Sequence, residues 1–459
     1  MMMTNPFSRE SFHRVLTTKE YHGMERLPTF SKGGVHPDDK KALSNNQAIQ
    51  RLPVPSELVL PLSQHLGAPA SPLKQKGDMV VAGEKIGKAS SFISADVHCP
   101  VNGTITDLRK VVLANSVVTD AFVITPDASN PLGEWPEQPY DALSPEELLA
   151  IVKDMGVVGT GGATFPTHVK LSVPKGRTVD ALVVNGVECE PYLTADHRLM
   201  LEETERVLRG IMIVAKITGP KRIIIGVENN KKDAIATLRQ EIARLGFPIT
   251  VMALRVKYPQ GDEKQLLKAT IKREIPSGKL PLDVGAVVLN VGTSFAIYEA
   301  VAMRKPLIDR VVTISGEAMK EKKNLRVLLG SKVADLIAFA GGLDHEPDKF
   351  ISGGPMMGFA FHDDQIPVIK GTSGILALDK EPSAKAPTTP CISCGRCVAA
   401  CPMGLQPTKL YRLIEHRDYE RAMAMNLMDC KECGCCSYSC PAHLPLVHGM
   451  KLGKRLGRK

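Results

Sequence analysis

The chain has 459 residues, a formal net charge of +9 at pH 7, and 43% hydrophobic and 23% charged residues. Because domains usually hold roughly 100 to 200 residues, this length predicts several domains, and the composition excludes a largely disordered or fibrous protein. No window holds the ~20 uninterrupted apolar residues of a membrane-spanning helix, and the start MMMTNPFSRESFHRV lacks the apolar core of a signal peptide, so we expect neither a transmembrane helix nor export.

The N-terminal third begins with a polar, patternless stretch, residues 1–30, which we interpret as an extension. Residues 31–135 contain short β-type runs separated by turn glycines, and they predict a small all-β domain. The stretch resembles the barrel-sandwich module of biotinyl and lipoyl carriers. No lysine lies between Lys88 and Arg109, where a carrier lysine would stand. We therefore expect a scaffold without a covalently bound cofactor.

Residues 144–303 predict an α/β domain. A helix should start at Ser144, with Pro145 in its first position and Glu147 completing a capping box, and it should end before Gly156. The β-type runs ALVVN, RIIIGV, ITVMAL and AVVLNV then alternate with helical stretches such as 231–245. This alternation is typical of a layered α/β fold.

The C-terminal part predicts two further units. Residues 306–378 combine short strands with the helical run KVADLIAFAGGL, which predicts a small α+β domain. The linker KEPSAKAPTTP leads to residues 388–450, a helical pattern that holds nine of the eleven cysteines. The last residues, 451–459, read KLGKRLGRK and predict a basic tail.

The nine clustered cysteines include two runs with the spacing C-x2-C-x2-C-x3-C-P. In two-cluster ferredoxins the first three cysteines of such a run bind one 4Fe-4S cluster and the fourth binds the other cluster. Structural zinc is the alternative, but it would leave the later cysteines and both prolines without a role. We expect Cys435, Cys99 and Cys189 to be packed rather than to bind metal. The predicted ligands are Cys391, Cys394, Cys397 and Cys440 for one cluster, and Cys430, Cys433, Cys436 and Cys401 for the other.

Iron–sulfur clusters only pass single electrons, so a redox site should accompany them. The stretch GVVGTGGATFPTHVKLS could bring backbone N–H groups close to a phosphate, although a structural turn explains it as well. The stretch VVNGVECEPYLTADHRLM brings Glu188, Glu190 and Asp196 near one strand end. Solvation of a surface loop is the alternative explanation for these carboxylates.

A family resemblance becomes specific at these motifs. GTGGATFP, VNGVECEPYLTADHRLM, YPQGDEKQL and LNVGTS resemble the FMN- and NADH-binding motifs of the flavoprotein subunit of respiratory complex I. In order with GGVHP, SGGPMMG and the cysteine runs, they resemble the C subunits of Rnf-type ion-translocating ferredoxin:NAD oxidoreductases over residues 30 to 450. The resemblance implies a complex I flavoprotein-like FMN domain, a β-grasp (SLBB) domain and a helical two-cluster ferredoxin domain.

The resemblance also implies roles for single residues, with Glu190 and Glu188 as the catalytic pair. Thr160 and Thr164 depart from the complex I pattern, which has an arginine and a glycine there. The residues implied to surround non-covalent FMN are Gly159, Gly161, Gly162, Ala163, Lys170, Asn185, Glu188, Asn290 and Thr293. Those implied to line the nicotinamide nucleotide side are Phe165, Glu190, Tyr258, Gly261, Asp262 and Glu263.

The implied function is that of a peripheral electron-transfer subunit on the cytoplasmic face of the inner or plasma membrane. NAD(H) would exchange hydride with FMN, which can convert two-electron into one-electron transfer, and two 4Fe-4S clusters would relay electrons. The implied partners are other subunits of the complex, ferredoxin and NAD(H). A cobalamin reductase-like enzyme and a non-catalytic adaptor are alternatives. No basic stretch is interleaved with aromatic residues, so we expect no nucleic-acid binding.

Overall fold

The computed structural model describes residues 27–380 and 387–457. They form an N-terminal β domain, a central α/β domain, an α+β domain and a cysteine domain. Of the predicted extension, residues 1–26 lie outside the described part, whereas Phe30 is fully buried and Lys257 Nζ lies 4.1 Å from its ring centroid. Short 3-10 turns occur at Lys41–Leu43, Pro281–Val284 and Leu427–Asp429.

The all-β character predicted for the N-terminal domain is confirmed. Strand β1 (Ile49–Arg51) comes first in the chain. The strands of the domain's own two sheets are β2 (Leu58–Pro61), β3 (Ser71–Pro72), β4 (Met79–Val80), β5 (Lys85–Lys88), β6 (Val97–His98), β7 (Gly103–Val112) and β8 (Val118–Pro126). One sheet has the antiparallel order β2-β8-β7-β4, and a smaller one has the order β3-β5-β6. Leu58, Leu60 and Phe122 are fully buried in a core that extends into the α+β domain.

The central domain contains one fully parallel sheet of order β11-β10-β9-β12. The predicted capping box is present, because Ser144 N donates to Glu147 Oε2 (2.7 Å) and Glu147 N donates to Ser144 Oγ (3.2 Å). The strands are β9 (Ala181–Asn185), β10 (Arg222–Glu228), β11 (Ile249–Leu254) and β12 (Ala286–Asn290). The helices are α1 (Pro145–Asp154), α2 (Thr167–Leu171), α3 (Ala195–Glu202), α4 (Thr204–Thr218), α5 (Lys232–Leu245), α6 (Glu263–Thr270) and α7 (Val291–Ala302).

The apolar runs of this sheet are buried on both faces, as is typical of parallel sheets covered by helices. In β9, Leu182 and Val184 belong to one hydrophobic core, while Ala181 and Val183 belong to a second core with helix α6. Side chains alternate between the faces of a strand, so one run of four apolar residues serves both cores.

The α+β domain has a mixed six-stranded sheet of order β1-β14-β13-β17-β15-β16. Strand β1, which the sequence assigns to the N-terminal domain, pairs in parallel with β14 instead. This pairing satisfies the edge of β14 and ties the two domains together. The elements are β13 (Asp309–Ser315), β14 (Lys323–Leu328), α8 (Val333–Phe339), β15 (Lys349–Ser352), β16 (Phe359–Phe361) and β17 (Gly374–Leu378).

The cysteine domain is helical, as predicted. Its helices are α9 (Arg396–Ala400), α10 (Pro407–Glu415), α11 (Tyr419–Ala424), α12 (Cys435–Tyr438) and α13 (Leu446–Leu456). Residues 451–456, predicted as part of a separate basic tail, continue α13, because Gly453 is buried there and Lys454 Nζ donates to Glu432 Oε1 (2.8 Å). Within the described ranges, none of the helices has the length and apolar run needed to cross a bilayer.

Candidate functional site

The carboxyl ends of β9 and β12 mark the point where the central sheet reverses its strand order. From β9 the chain builds β10 and β11 on one side and then returns to add β12 on the other side. Ligands of open α/β sheets bind outside the strand ends at such a switch point. Asn185 and Asn290 end these strands in matched register, and Asn290 Nδ2 lies 3.4 Å from the Asn185 carbonyl.

The predicted glycine loop lies against this switch point. Gly159 N donates to the Phe165 carbonyl (2.8 Å), so Phe165 closes the base of the loop. Thr160 N donates to Thr293 Oγ1 (2.9 Å), and Thr160 Oγ1 donates to Asn290 Oδ1 (2.9 Å). Thr160, which departs from the complex I pattern, thus joins the loop to helix α7.

The tip of the loop is open to solvent. Gly161, Gly162 and Ala163 are exposed, and no heavy atom lies within 4 Å of the point where a Cβ on Gly162 would stand. Gly162 has φ +76, a conformation that a side chain disfavours. Asn290 caps α7 by accepting from Gly292 N (2.8 Å). Exposed loop backbone beside a capped helix start can accommodate a phosphate-bearing ligand.

A buried arginine from the neighbouring domain holds the loop from below. Arg310, in strand β13 of the α+β domain, donates to the Thr160 carbonyl (2.9 Å) and to the Lys370 carbonyl. Burial lowers its pKa to about 10, and nearby Asp196 opposes this shift. Sequence reasoning missed Arg310, since a strand residue in another domain carries no motif that links it to this loop.

The acidic loop after β9 is held by its carboxylates and by two buried lysines. Glu188 accepts from Asp196 N (2.7 Å) and His197 N (3.2 Å) at the start of α3. Burial, followed by the charge of Glu188, raises the pKa of Asp196 to about 7. Lys231 Nζ donates to the Val187 carbonyl (2.7 Å), and Lys41 Nζ donates to the Glu190 carbonyl (3.0 Å). Neither lysine was predicted.

Glu190 and Tyr258, both predicted on the nicotinamide side, are brought together. Tyr258 OH donates to Glu190 Oε1 (3.2 Å), and Met356 N donates to Glu190 Oε2 (3.1 Å). Removal from water raises the pKa of Glu190 to about 7, and these two hydrogen bonds oppose the shift. The carboxyl group can therefore exchange a proton near neutral pH.

The remaining predicted residues lie along the same edge of the sheet. Asn185 Nδ2 donates to the Gly261 carbonyl (2.9 Å). Asp262 caps α6 by accepting from Lys264 N (3.1 Å) and Gln265 N (3.2 Å). Lys170 Nζ forms an ion pair with Glu263 Oε1 (2.9 Å), which joins a residue predicted for FMN to one predicted for the nucleotide.

The two cysteine runs have equivalent backbones. Ser393 and Glu432, each two residues after the first cysteine of its run, have φ +57 and +56. Ser393 N lies 3.4 Å from Cys391 Sγ, and Glu432 N lies 3.4 Å from Cys430 Sγ. Backbone N–H groups directed at thiolates are among the groups that tune iron–sulfur clusters.

Cysteines from both runs line one cavity, which we call the second cysteine pocket. Its thiols come from Cys401 of the first run and Cys430, Cys433 and Cys436 of the second run, with Cys435 beside them. Burial raises the pKa of Cys430 to about 11 and that of Cys436 to about 12, and the neighbouring thiols add to both shifts. Thiolates crowded in an apolar cavity need positive charge, which bound iron supplies.

The other four predicted ligands differ in exposure. Cys397 and Cys440 share a small buried cluster with Leu446, whereas Cys394 is exposed and Cys391 half-buried. No three or more His, Cys, Asp or Glu side chains in residues 27–380 and 387–457 are arranged around a single-ion site.

Four family matches follow the chain in order. Residues 29–129 match the RnfC barrel sandwich hybrid domain and residues 152–299 the Nuo51 FMN-binding domain. Residues 311–360 match the SLBB domain and residues 390–444 the 4Fe-4S dicluster domain. The predicted fold class is confirmed by these matches.

Similar curated proteins cover most of the chain. The C subunit of the proton-translocating ferredoxin:NAD(+) oxidoreductase complex of Clostridium ljungdahlii is 45% identical over 87% of this chain and 87% of its own. The C subunit of the ion-translocating oxidoreductase complex of Rhodobacter capsulatus is 42% identical over 94% and 85%. The C subunit of the Na(+)-translocating ferredoxin:NAD(+) oxidoreductase complex of Acetobacterium woodii is 42% identical over 92% and 96%.

Among solved structures, an NAD+-reducing [NiFe]-hydrogenase in the H2-reduced state shares part of the fold. It is 17% identical, with a TM-score of 0.50, and the alignment covers 69% of this chain and 61% of that chain. At this identity the likeness concerns the fold alone.

Proposed function

Because the chain belongs to the family of C subunits of ion-translocating ferredoxin:NAD(+) oxidoreductase complexes, we propose that it exchanges hydride with NAD(H) in its central domain and passes single electrons through its cysteine domain. It is an oxidoreductase subunit that carries FMN and two 4Fe-4S clusters. One NADH delivers two electrons as hydride, which suffices to reduce two clusters by one electron each while a proton and NAD+ are released.

The contact between the two redox regions carries this proposal. Tyr258 of the central domain shares one buried cluster with Ala400, Cys433 and Cys435 of the cysteine domain. The same tyrosine donates to Glu190, whose carboxyl is predicted to face the nicotinamide nucleotide. The second cysteine pocket therefore lies against residues that we assign to the nicotinamide nucleotide, and this contact supports electron transfer from the central domain into the pocket.

The residue roles follow from the geometry of the switch point. We assign the exposed backbone of Gly161, Gly162 and Ala163, together with Gly159 at the base of the loop and Lys170, to the FMN phosphate side. The flavin ring and ribityl chain would be bordered by Asn185, Glu188, Asn290 and Thr293. The nicotinamide nucleotide would be held by Phe165, Glu190, Tyr258, Gly261, Asp262 and Glu263. Among these, Glu190 would hold or donate a proton through Oε1.

The cluster ligands keep the predicted cross-run arrangement. Cys401, Cys430, Cys433 and Cys436 would bind the cluster in the second cysteine pocket, and their shared cavity supports this set. The other 4Fe-4S cluster would be bound by Cys391, Cys394, Cys397 and Cys440. We further propose that the chain sits peripherally on the cytoplasmic face of the membrane and exchanges electrons with other subunits and, through them, with ferredoxin.

We keep the domain limits predicted from the sequence, 31–135, 144–303, 306–378 and 388–450, with two additions. Strand β1 joins the sheet of the α+β domain, and residues 451–456 continue helix α13 of the cysteine domain. No observation favours a cobalamin reductase-like activity, because the three curated relatives are all named as subunits of ion-translocating or proton-translocating complexes.

Anaerobic titration of the fully loaded chain with NADH tests the proposal. We expect the flavin absorbance to bleach first and the cluster absorbance to decrease next. Glu190→Gln should slow the flavin step at unchanged iron and flavin content. Glu346→Gln, an exposed carboxyl in the α+β domain, is the matched control and should behave like the parent. Flavin that NADH does not reduce would favour the adaptor alternative.

A further inference from the structure

A short segment joins the nucleotide side of the central domain to the cysteine domain. We call residues 30–36, FSKGGVH, the strap. Val35 and Tyr258 exchange two backbone hydrogen bonds of 2.9 and 3.0 Å. One residue earlier, Gly34 N donates to the carbonyl of Ala400 (2.9 Å), directly before Cys401. The strap is thus hydrogen-bonded to both redox regions within two consecutive residues.

The strap approaches the backbone of a predicted cluster ligand closely. Gly33 has φ +65, and a Cβ built on it would stand 2.5 Å from the Cys401 carbonyl oxygen and 2.7 Å from Pro402 N. Real Cβ atoms do not come this close to backbone atoms, so any side chain at Gly33 must displace the Cys401 turn. Glycine permits the contact because it has no Cβ.

Next to the strap, buried side chains of the central domain and of the cysteine domain are in direct contact. Val35 is buried in the cluster that contains Tyr258, Cys433 and Cys435. On the opposite side, Met356 N donates to Glu190 (3.1 Å), and the Met356 carbonyl oxygen lies 3.0 Å from where a Cβ on Gly434 would stand. Residues of the second cysteine pocket therefore contact both the strap and the loop that contains Met356.

Two ion pairs also join the central domain to the cysteine domain, over longer distances. Lys264 Nζ lies 3.7 Å from Asp429 Oδ1, and Lys431 Nζ lies 3.7 Å from Asp262 Oδ2. Ion pairs of this length between flexible side chains tolerate small displacements. The strap makes short backbone hydrogen bonds and direct backbone contacts, and these tolerate only much smaller displacements.

We propose that the strap is a positioning element, which sets the separation between the second cysteine pocket and the central domain and thereby the rate at which flavin bound in that domain would pass electrons to the cluster in the pocket. This inference rests on the proposed function. Electron transfer through protein weakens steeply with separation, so a small outward shift of the Cys401 turn slows it. The same geometry makes the second pocket the entry point of the cluster relay, with the more exposed pair Cys391 and Cys394 further along.

Gly33→Ala in the loaded full-length chain tests the proposal. Reduction of flavin by NADH should keep its rate, whereas the following reduction of the clusters should slow severalfold, because the Cβ must push the Cys401 turn away from the strap. Photochemical reduction of the flavin with EDTA as the electron donor starts the same step without NADH. A failure of NADH to reduce the flavin would thus overturn the proposed function and leave the strap testable.

The matched control is Gly246→Ala. Gly246 has φ +67 at the end of α5, close to the φ of Gly33, and nothing lies within 4 Å of its Cβ position. It reproduces the backbone strain without the contact, so its electron-transfer rates should equal those of the parent. If Gly33→Ala does not load its clusters, Gly34→Ala decides, because its Cβ would stand 2.8 Å from the backbone carbonyl oxygen of Tyr258 and would displace the strap from the central domain.

Thiol labelling gives a readout that needs no electron transfer. Cys435 is fully buried beside Val35, whereas Cys99 is fully buried in the N-terminal β domain. Mass spectrometry should find faster labelling of Cys435 in Gly33→Ala, with Cys99 unchanged. Slowed cluster reduction together with faster Cys435 labelling supports the proposal. Parent-like cluster reduction in Gly33→Ala, or in Gly34→Ala where that variant decides, overturns it.

Discussion

The cysteine domain and the central domain build their sites in opposite ways. All eight predicted cluster ligands fall between Cys391 and Cys440, and the two runs repeat the same backbone turns. The central site draws Lys41, Glu190, Tyr258 and Arg310 from three different parts of the chain. A ligand set defined by local spacing is therefore visible in a sequence, whereas a site assembled by packing is not.

We expect the largest loss from removing Cys401. This cysteine belongs to the first run but is predicted to bind the cluster of the second run, which makes the ligand set nonlocal. Cys401→Ala should lose one cluster, about four of eight irons per chain. Adding Cys433→Ala should lose no more iron, since both ligands belong to the same cluster, whereas adding Cys394→Ala should remove the second cluster as well. Iron analysis and electron paramagnetic resonance measure both. Additive loss in the Cys401 and Cys433 pair would contradict the cross-run arrangement.

A smaller effect is expected from the support of the glycine loop. Arg310→Met leaves the buried carbonyls of Thr160 and Lys370 without their donor. Because each of the two unsatisfied buried carbonyls costs ~1 to 3 kcal/mol, the free energy of unfolding should fall by roughly 2 to 6 kcal/mol. FMN retention should fall with it.

Urea denaturation and flavin release on dilution measure these two losses. Arg177→Met is the control, because Arg177 is half-exposed and pairs with Asp283 at the surface (2.9 Å). Equal stability of the two variants would show that Arg310 does not hold the loop.

A pH dependence should follow from Glu190. Its pKa rises from 4.5 to about 7 in the folded chain because the carboxyl is removed from water near Tyr258, Lys41 and Cys189. Between these values the folded state binds more protons than the unfolded state, so stability falls as pH rises through this window. Relative to Glu190→Gln, the parent should lose about 2 kcal/mol between pH 5 and pH 7.5.

Urea unfolding of both proteins at the two pH values gives the difference directly. Titrating histidines such as His65 are common to both proteins and cancel in the comparison. Identical pH profiles would mean that Glu190 is ionised in the folded state over the whole range.

The smallest effect should come from the ion pairs between the two domains. Lys264→Met removes the contact with Asp429 at 3.7 Å. Because the two side chains are only 13% and 17% exposed, its removal should lower the free energy of unfolding by roughly 1 to 2 kcal/mol, and added salt should change this loss little. Unfolding at low and high salt checks this, and a loss well above this value would mean that ion pairs, rather than the strap, hold the cysteine domain in place.

Much of the molecule was predictable from local pattern. The capping box at Ser144 and Glu147, the buried parallel strands and the two cysteine runs each depend on residues a few positions apart, so short-range geometry determines them. Asn185 and Asn290 could be placed at strand ends for the same reason. Their register side by side at the switch point required the order of the strands.

The tertiary structure alone decided which cations hold the site. Lys41, Lys231 and Arg310 are buried because packing leaves carbonyl groups of Glu190, Val187 and Thr160 facing them without water. A buried carbonyl needs a donor from whichever element lies nearest, and sequence distance does not limit that choice. The amino-acid sequence therefore determined the cofactors and the local turns, whereas long-range packing determined the strap, the buried donors and the contact between the two redox regions.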